Sequence, residues 1–212
     1  CMVSHIPTAQ DKEFDFEDWG FFKVIGFMSD KYFAGYSDRL PEHGYDAVLN
    51  PVAFLADKTK NDNLLKDEQL SKVLLDDDTE RTFTSGTPLK LEEGYELSIK
   101  SIDIDGNKVY VELSKDGSVI DSKVVSPSKD SASMSDKTYY YKKDLGDSSY
   151  VVVVAVHFKN AFRGSDTNLA TVDGVWQISD TPASVESGTD YDKMTLESPT
   201  EDQITATNKD NQ

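Results

Sequence analysis

Apolar residues recur at every second position along most of this chain, and turn-forming residues interrupt the alternation about every eight to twelve positions. The clearest stretch runs from Tyr95 to Val125, where apolar and polar residues alternate on either side of two turn sequences. Those turns are Asp105-Gly106-Asn107 and Asp116-Gly117. Because Asp-Gly between alternating runs favours a tight hairpin, the pattern predicts three consecutive antiparallel strands.

The same pattern predicts further strands and little helix. Valines at 151 to 154 and at 156 offer apolar side chains to both faces, which is typical of a central strand covered on both sides. The sequence therefore predicts an all-β fold, an antiparallel β-sandwich. Residues Asn61 to Leu75 are the one candidate for a short helix. The other predicted strands are Phe21 to Met28, Tyr32 to Tyr36, Val52 to Leu55, Val73 to Leu75, Thr82 to Thr84, Thr138 to Lys142, Tyr150 to Phe158 and Leu169 to Ile178.

Two polar stretches without an apolar period, Ser126 to Lys137 and Ser179 to Gly188, are predicted to be surface loops. We expect one β-sandwich domain over residues 11–180, followed at 181–212 by a linker and the truncated start of a second β unit. Within the first domain, Thr82 to Ser179 should form one sandwich. Residues Phe21 to Leu55 either add strands to it or build a separate small sandwich.

Composition narrows the function classes. The 212 residues include 39 acidic and 22 basic side chains, a formal net charge of −17, which disfavours binding to nucleic acid or to acidic lipid. With 37% hydrophobic residues the chain has enough apolar side chains for a core. The only cysteine is Cys1, so no disulfide forms within the chain. No apolar run is long enough to span a bilayer and no signal peptide is visible, so membrane anchoring, if there is any, is expected outside this chain.

Two acidic clusters are candidate cation sites. Asp103, Asp105 and Asn107 have the spacing of calcium ligands, but Lys108 follows where glycine is required and strands flank the loop, so a hairpin turn is favoured. The candidate ligands of a divalent cation that bridges subunits are the carboxylates of Asp76, Asp77, Asp78 and Glu80. A solvated turn is nevertheless the favoured interpretation. No other cofactor is expected.

Catalytic motifs are missing from the sequence. The histidines, His5, His43 and His157, lack zinc-site spacing, and no nucleophile elbow or phosphate-binding glycine loop occurs. His157 is interpreted as a packed or edge imidazole. Tyr139 and Tyr141 share one strand face and offer an alternative function, a sugar-stacking platform in a carbohydrate-binding or adhesion module, although a core role is favoured. The sequence predicts a protein that is not an enzyme. If the protein is an enzyme, a carboxylate-dependent glycosidase is the hypothesis that remains.

A series of segments, taken in order, resembles a known family. The series opens with Asp18-Trp19-Gly20, Val24-Ile25-Gly26-Phe27-Met28 and Lys31-Tyr32-Phe33-Ala34-Gly35 and ends with Val175-Trp176-Gln177-Ile178-Ser179-Asp180. In this order the segments resemble the duplicated S-layer domain of Methanosarcina-type methanogenic archaea. The resemblance covers about Phe14 to Asp180 and, more weakly, Tyr191 to Ile204; the sequence departs from the family at Cys1 to Gln10 and where the second sandwich stops.

The resemblance implies a β-sandwich subunit of a porous, crystalline protein coat at the archaeal cell surface, assembled as a lattice of like subunits. It implies no catalytic residues. Excess carboxylates agree with such a role, because they keep isolated subunits apart and favour passage of cations and neutral solutes over anions through pores.

Overall fold

The computed structural model describes residues 3–5, 9–27, 30–40, 52–60, 63–103, 105 and 107–209. Strands dominate these residues, in agreement with the predicted all-β class. The helices are α1 Phe54–Lys58 and α2 Met134–Lys137. The strands are β1 Val3–His5, β2 Gln10–Glu13, β3 Phe21–Phe27, β4 Asp30–Ser37, β5 Gln69–Asp77, β6 Arg81–Thr84, β7 Leu89–Lys90, β8 Tyr95–Ile102, β9 Val109–Lys115, β10 Ser118–Val125, β11 Thr138–Leu145, β12 Ser148–Arg163, β13 Asn168–Ile178, β14 Ala183–Ser184, β15 Asp190–Tyr191, β16 Met194–Leu196 and β17 Thr205–Asn208.

The chain divides into two compact units. Unit 1 consists of Cys1–Val73, Lys142–Val151 and Ile178–Gln212, and unit 2 of Leu74–Tyr141 and Val152–Gln177. The strands Phe21–Phe27 and Asp30–Ser37 thus belong to a different unit from most of Thr82 to Ser179. Both arrangements given for Phe21 to Leu55 stay predictions.

Unit 1 contains two antiparallel sheets. In one, β2, β3, β4 and β5 follow each other in space, and β14 pairs with β5. In the other, the order is β1-β17-β16-β15, so the first and last strands of the described chain are paired. Side chains of both sheets share one apolar cluster: Ile25, Ala34, Leu65, Leu70, Val185, Leu196, Ile204 and Ala206. The C-terminal strands therefore bury their apolar residues within unit 1. The domain boundaries at 11–180 and 181–212 stay a prediction.

Unit 2 is an antiparallel sandwich. Its first sheet has the order β10-β9-β8-β7, which contains the predicted meander. The second sheet contains β11, β12, β13 and β6. The two layers meet where Tyr95 packs on Tyr141 with ring centroids 6.4 Å apart, and where Gln177 exchanges two hydrogen bonds with the backbone of Glu92. Residues Val152 to Phe158 are all buried, as predicted for a strand covered on both faces.

The two predicted turns of the meander differ in length. The turn at Asp116-Gly117 is a two-residue hairpin turn, as predicted. Asp116 and Gly117 have φ values of 50° and 82°, the positive pair that a two-residue type I′ turn requires. Strands β8 and β9 are instead separated by six residues, because β8 ends at Ile102 and β9 begins at Val109. The turn between β11 and β12 uses Gly146, with φ of 57°, and Asp147.

Four local predictions were wrong. Ser179 to Gly188 is not a surface loop throughout, because Ala183–Ser184 forms strand β14 and Val185 is buried. Val52 to Leu55 is not a strand, because Phe54 and Leu55 begin helix α1. The helix predicted for Asn61 to Leu75 is a single 3₁₀ turn, Leu64–Asp67, followed by strand β5. The loop at Ser126 to Lys137 ends in helix α2, whose Met134 is buried. Met28, at the end of a predicted strand, lies outside the described residues.

Candidate functional site

The predicted cation-bridging carboxylates lie at the end of β5 and in the turn that follows. Asp77 accepts a hydrogen bond from the backbone N–H of Thr79 at 2.8 Å and forms an ion pair with Arg81. These contacts hold the pKa of Asp77 below its ordinary value, chiefly through hydrogen bonds from Thr79 and further through the Arg81 charge. Asp77 is therefore engaged by its own chain.

The other three carboxylates differ in exposure. Glu80 accepts a hydrogen bond from Lys159 Nζ at 2.6 Å, and this bond raises the pKa of Lys159. Asp76 is partly buried and Asp78 is exposed. Among the residues that the structure describes, no group of three or more His, Cys, Asp or Glu side chains is arranged to hold a metal ion. Cation bridging at Asp76, Asp77, Asp78 and Glu80 stays a prediction.

The segment with the spacing of calcium ligands, Asp103 to Asn107, is held by hydrogen bonds to its own backbone. One carboxylate oxygen of Asp103 accepts hydrogen bonds from the backbone N–H groups of Asn107 at 2.8 Å and Lys108 at 3.2 Å. The Asp103 backbone N–H also donates to the Lys108 carbonyl at 3.0 Å. These bonds favour the hairpin interpretation, because the carboxylate stabilises the turn.

The hypothesis that Tyr139 and Tyr141 form a sugar-stacking platform is wrong for Tyr139. Its side chain is fully buried, and its hydroxyl donates to Asp121 at 2.7 Å. Burial, and then the bond to Asp121, raises the pKa of Tyr139 far above its ordinary value. Tyr141 packs on Tyr95. The pair thus offers no exposed ring face built from both tyrosines, and the core role favoured by the alternation is confirmed for Tyr139.

His157 lies on β12, where it is buried and hydrogen-bonded through Nδ1 to a carboxylate oxygen of Asp173 on β13. The packed-imidazole interpretation agrees with this position. His43 lies outside the described residues, and so do the side-chain surroundings of His5.

Sequence reasoning missed one surface feature, the exposed side of strand β10. Val119, Ile120 and Val124 are exposed there, next to the partly exposed Tyr110 of β9. In the sequence, Val119, Ile120 and Val124 flank the polar run Asp121-Ser122-Lys123. The sequence did not indicate which of the two sets faces the core, because that depends on what the facing sheet supplies.

Comparison with known proteins places the chain in a family. A family model described as S-layer protein matches residues 3–212, nearly the whole length. The chain belongs to the S-layer protein family. The match includes most of the N-terminal segment Cys1 to Gln10, which the resemblance had set apart from the family. Both ends of the matched region belong to one sheet, because strand β1 near residue 3 pairs with strand β17 near the C-terminus.

Individual S-layer relatives come from methanogenic archaea. The Major S-layer protein of Methanosarcina mazei is 34% identical over 98% of this chain, and that of Methanosarcina acetivorans is 34% identical over 80%. The Major S-layer protein of Methanosarcina barkeri is 30% identical over 79%. The aligned regions cover 27%, 25% and 21% of these relatives, so the chain spans about a quarter of their length. No helix in the described part of the chain is long and apolar enough to cross a membrane.

Proposed function

We propose that this chain is part of a structural subunit of an archaeal surface layer, a porous and acidic protein coat assembled from like subunits outside the cell. The observation that carries the proposal is the family match over residues 3–212, together with relatives named Major S-layer protein. The formal charge of −17 fits a coat whose pores admit cations and neutral solutes more readily than anions.

The role we propose is structural rather than catalytic. Buried polar groups are used to join elements of the fold: Gln177 ties β13 to the backbone of Glu92, and Tyr139 bonds to Asp121. His157 is used in the same way against Asp173. Such bonds stabilise a rigid unit, which is what a coat subunit needs.

Immunogold electron microscopy of the source cells tests the proposal. Antibodies raised against the chain should label the outer face of intact cells, and isolated envelopes should show a periodic array that the same antibodies decorate. Purified full-length subunit should also form ordered sheets. Labelling confined to the cytoplasm would contradict the proposal. Turnover of a polysaccharide, abolished by one Asp or Glu substitution, would contradict the structural role.

A further inference from the structure

Strand β10 is the terminal strand of the sheet β10-β9-β8-β7 in unit 2. Three of its four apolar side chains face outward: Val119 is 58% exposed, Val124 51% and Ile120 40%, whereas Val125 at its end is buried. Its charged side chains, Asp121 and Lys123, are the partly buried ones. An ordinary edge strand has the opposite arrangement, with apolar residues toward the core.

Strand β11 explains why the charged residues face inward. The Tyr139 hydroxyl donates to Asp121 at 2.7 Å. The Lys123 ammonium donates to the Thr138 carbonyl at 3.3 Å and lies 3.7 Å from the centroid of the Tyr140 ring. Because successive side chains of a strand point to opposite faces, placing Lys123 inward directs Val124 outward.

A bulge enlarges the apolar stripe. The register of β10 against β9 shifts between Val119, which pairs with Ser114, and Asp121, which pairs with Leu113. Ile120 is therefore the extra residue, and Val119 and Ile120 both lie on the exposed side. The stripe formed by Val119, Ile120 and Val124 runs along a strand edge that a further strand can extend.

We propose that β10 pairs antiparallel with β10 of a second copy of this chain, about a two-fold axis through Ser122. Two sheets would then join edge to edge into one. This inference deepens the proposed function and rests on it, because it assigns one subunit contact of the coat. The occupant is a second copy because the strand is self-complementary about this axis.

Charge and apolar complementarity select the register. With Ser122 on the axis, each Asp121 lies opposite Lys123 of the second copy, and each Ile120 lies opposite Val124. Opposite residues in an antiparallel pair have their side chains on the same face about 5 Å apart, so both contacts form twice. An axis through Lys123 instead would place two lysines opposite each other, an unfavourable contact.

Backbone groups agree with the same register. Ser118 pairs with Lys115 across the two-residue turn, and pairs that exchange hydrogen bonds alternate along an antiparallel ladder. Counting from that pair past the bulge, the N–H and C=O groups of Ser122 and Val124 point away from β9. Ser122 on the axis can therefore exchange two hydrogen bonds with Ser122 of the second copy.

Disulfide trapping tests the axis directly. The Ser122→Cys variant, prepared with Cys1→Ser to remove the native thiol, should form a cross-linked dimer under mild oxidation, since facing Cα atoms of such a pair lie within disulfide reach. The control is Ser101→Cys in the same background, because Ser101 is exposed on the interior strand β8. We expect about tenfold more cross-linked dimer for Ser122→Cys than for Ser101→Cys. Adding Val124→Lys should remove the excess, and adding Phe162→Lys, an exposed apolar residue of β12, should preserve it.

A charge exchange tests the register. Asp121→Lys alone and Lys123→Asp alone should each weaken dimer formation in sedimentation velocity, and mixing the two variants should restore it as a heterodimer. Circular dichroism checks that each variant folds. If either fails to fold, the cross-linking result decides.

Equal cross-linking of Ser122→Cys and Ser101→Cys would overturn the inference. If immunogold labelling nevertheless places the chain in the coat, only the inference fails and the proposed function stands. Selective cross-linking of a chain found in the cytoplasm would contradict the proposed function alone.

Discussion

Gly20 is a residue at which both backbone conformation and space demand glycine. Its φ is 101°, and a Cβ built there would lie 2.7 Å from the Cβ of Ala53, closer than side-chain atoms approach. We predict that Gly20→Ala lowers the free energy of unfolding by about 2 kcal/mol or more, measured by urea denaturation. Gly26→Ala on the neighbouring strand is the control, because its Cβ would meet no atom within 4 Å. Equal effects of the two substitutions would contradict the argument.

Tyr139 carries a pH-dependent contribution to stability. Because burial raises its pKa in the folded protein, the folded state holds the phenolic proton more tightly than the unfolded state does. The resulting stabilisation is complete below the ordinary tyrosine pKa of about 10 and is lost as the pH rises above it. We predict that the stability advantage of the wild type over Tyr139→Phe shrinks between about pH 9 and pH 12.

At neutral pH, Tyr139→Phe should cost about 1 kcal/mol through the lost bond to Asp121. The matched hydroxyl deletion is Tyr110→Phe, on the partly exposed side of β9, and it should change stability by less than about 0.5 kcal/mol. A wild-type advantage that stays constant up to pH 12 would show that the Tyr139 phenol is not held neutral by the fold.

Among the elements, helix α2 is a short one stabilised at its start. Ser133 Oγ accepts a hydrogen bond from the backbone N–H of Asp136 at 3.2 Å, and Asp136 accepts one from the backbone N–H of Ser133 at 2.9 Å. We predict that Ser133→Ala lowers the free energy of unfolding by about 1 kcal/mol in urea denaturation. Ser135→Ala, at an exposed position of the same helix, is the control and should have little effect. Loss of stability in both variants alike would argue against the capping role.

Elements with a strong local period were predictable, and those decided by distant contacts were not. The meander Tyr95–Val125 combines alternation with a turn whose glycine takes positive φ, so local sequence was enough. At Val52 to Leu55, a short apolar run fits a strand and a buried helix turn equally well. The helix expected up to Leu75 is interrupted at Glu68, which has φ of 54°, and β5 then pairs with Tyr32 and Phe33 of β4. That pairing joins residues far apart in sequence, so local propensity did not decide it.

The candidate sites divide in the same way. The contact of Asp77 with Arg81 joins residues four positions apart, and it was open to sequence reasoning. The contact of Glu80 with Lys159 joins residues 79 positions apart and depends on the fold. Likewise, the inward position of Asp121 depends on Tyr139 reaching it from β11, and that contact is what leaves the apolar side of β10 exposed.

For the whole molecule, the decisive quantity is its formal charge of −17, which opposes close approach of like subunits. The proposed pairing of β10 places opposite charges at one contact, but the rest of the surface still carries excess carboxylates. At 0.1 M ionic strength the Debye length is about 10 Å, so salt screens most of the repulsion between exposed charges that lie farther apart than this. Assembly of the coat should therefore strengthen as ionic strength rises from very low values.

Calcium should promote assembly of the full-length subunit more than sodium chloride of equal ionic strength, because a divalent ion bridges carboxylates in addition to screening them. The predicted bridging ligands are Asp76, Asp77, Asp78 and Glu80, of which Asp77 already pairs with Arg81 and Glu80 with Lys159. Light scattering in the two salts measures the difference, and changing Asp76, Asp77 and Asp78 together to Asn should reduce it.

The matched control changes Asp103, Asp105 and Asp116 to Asn, which removes the same charge from hairpin turns and should leave the calcium effect in place. Identical assembly in both salts would exclude bridging, and an unchanged calcium effect in the first variant would place the bridging carboxylates elsewhere.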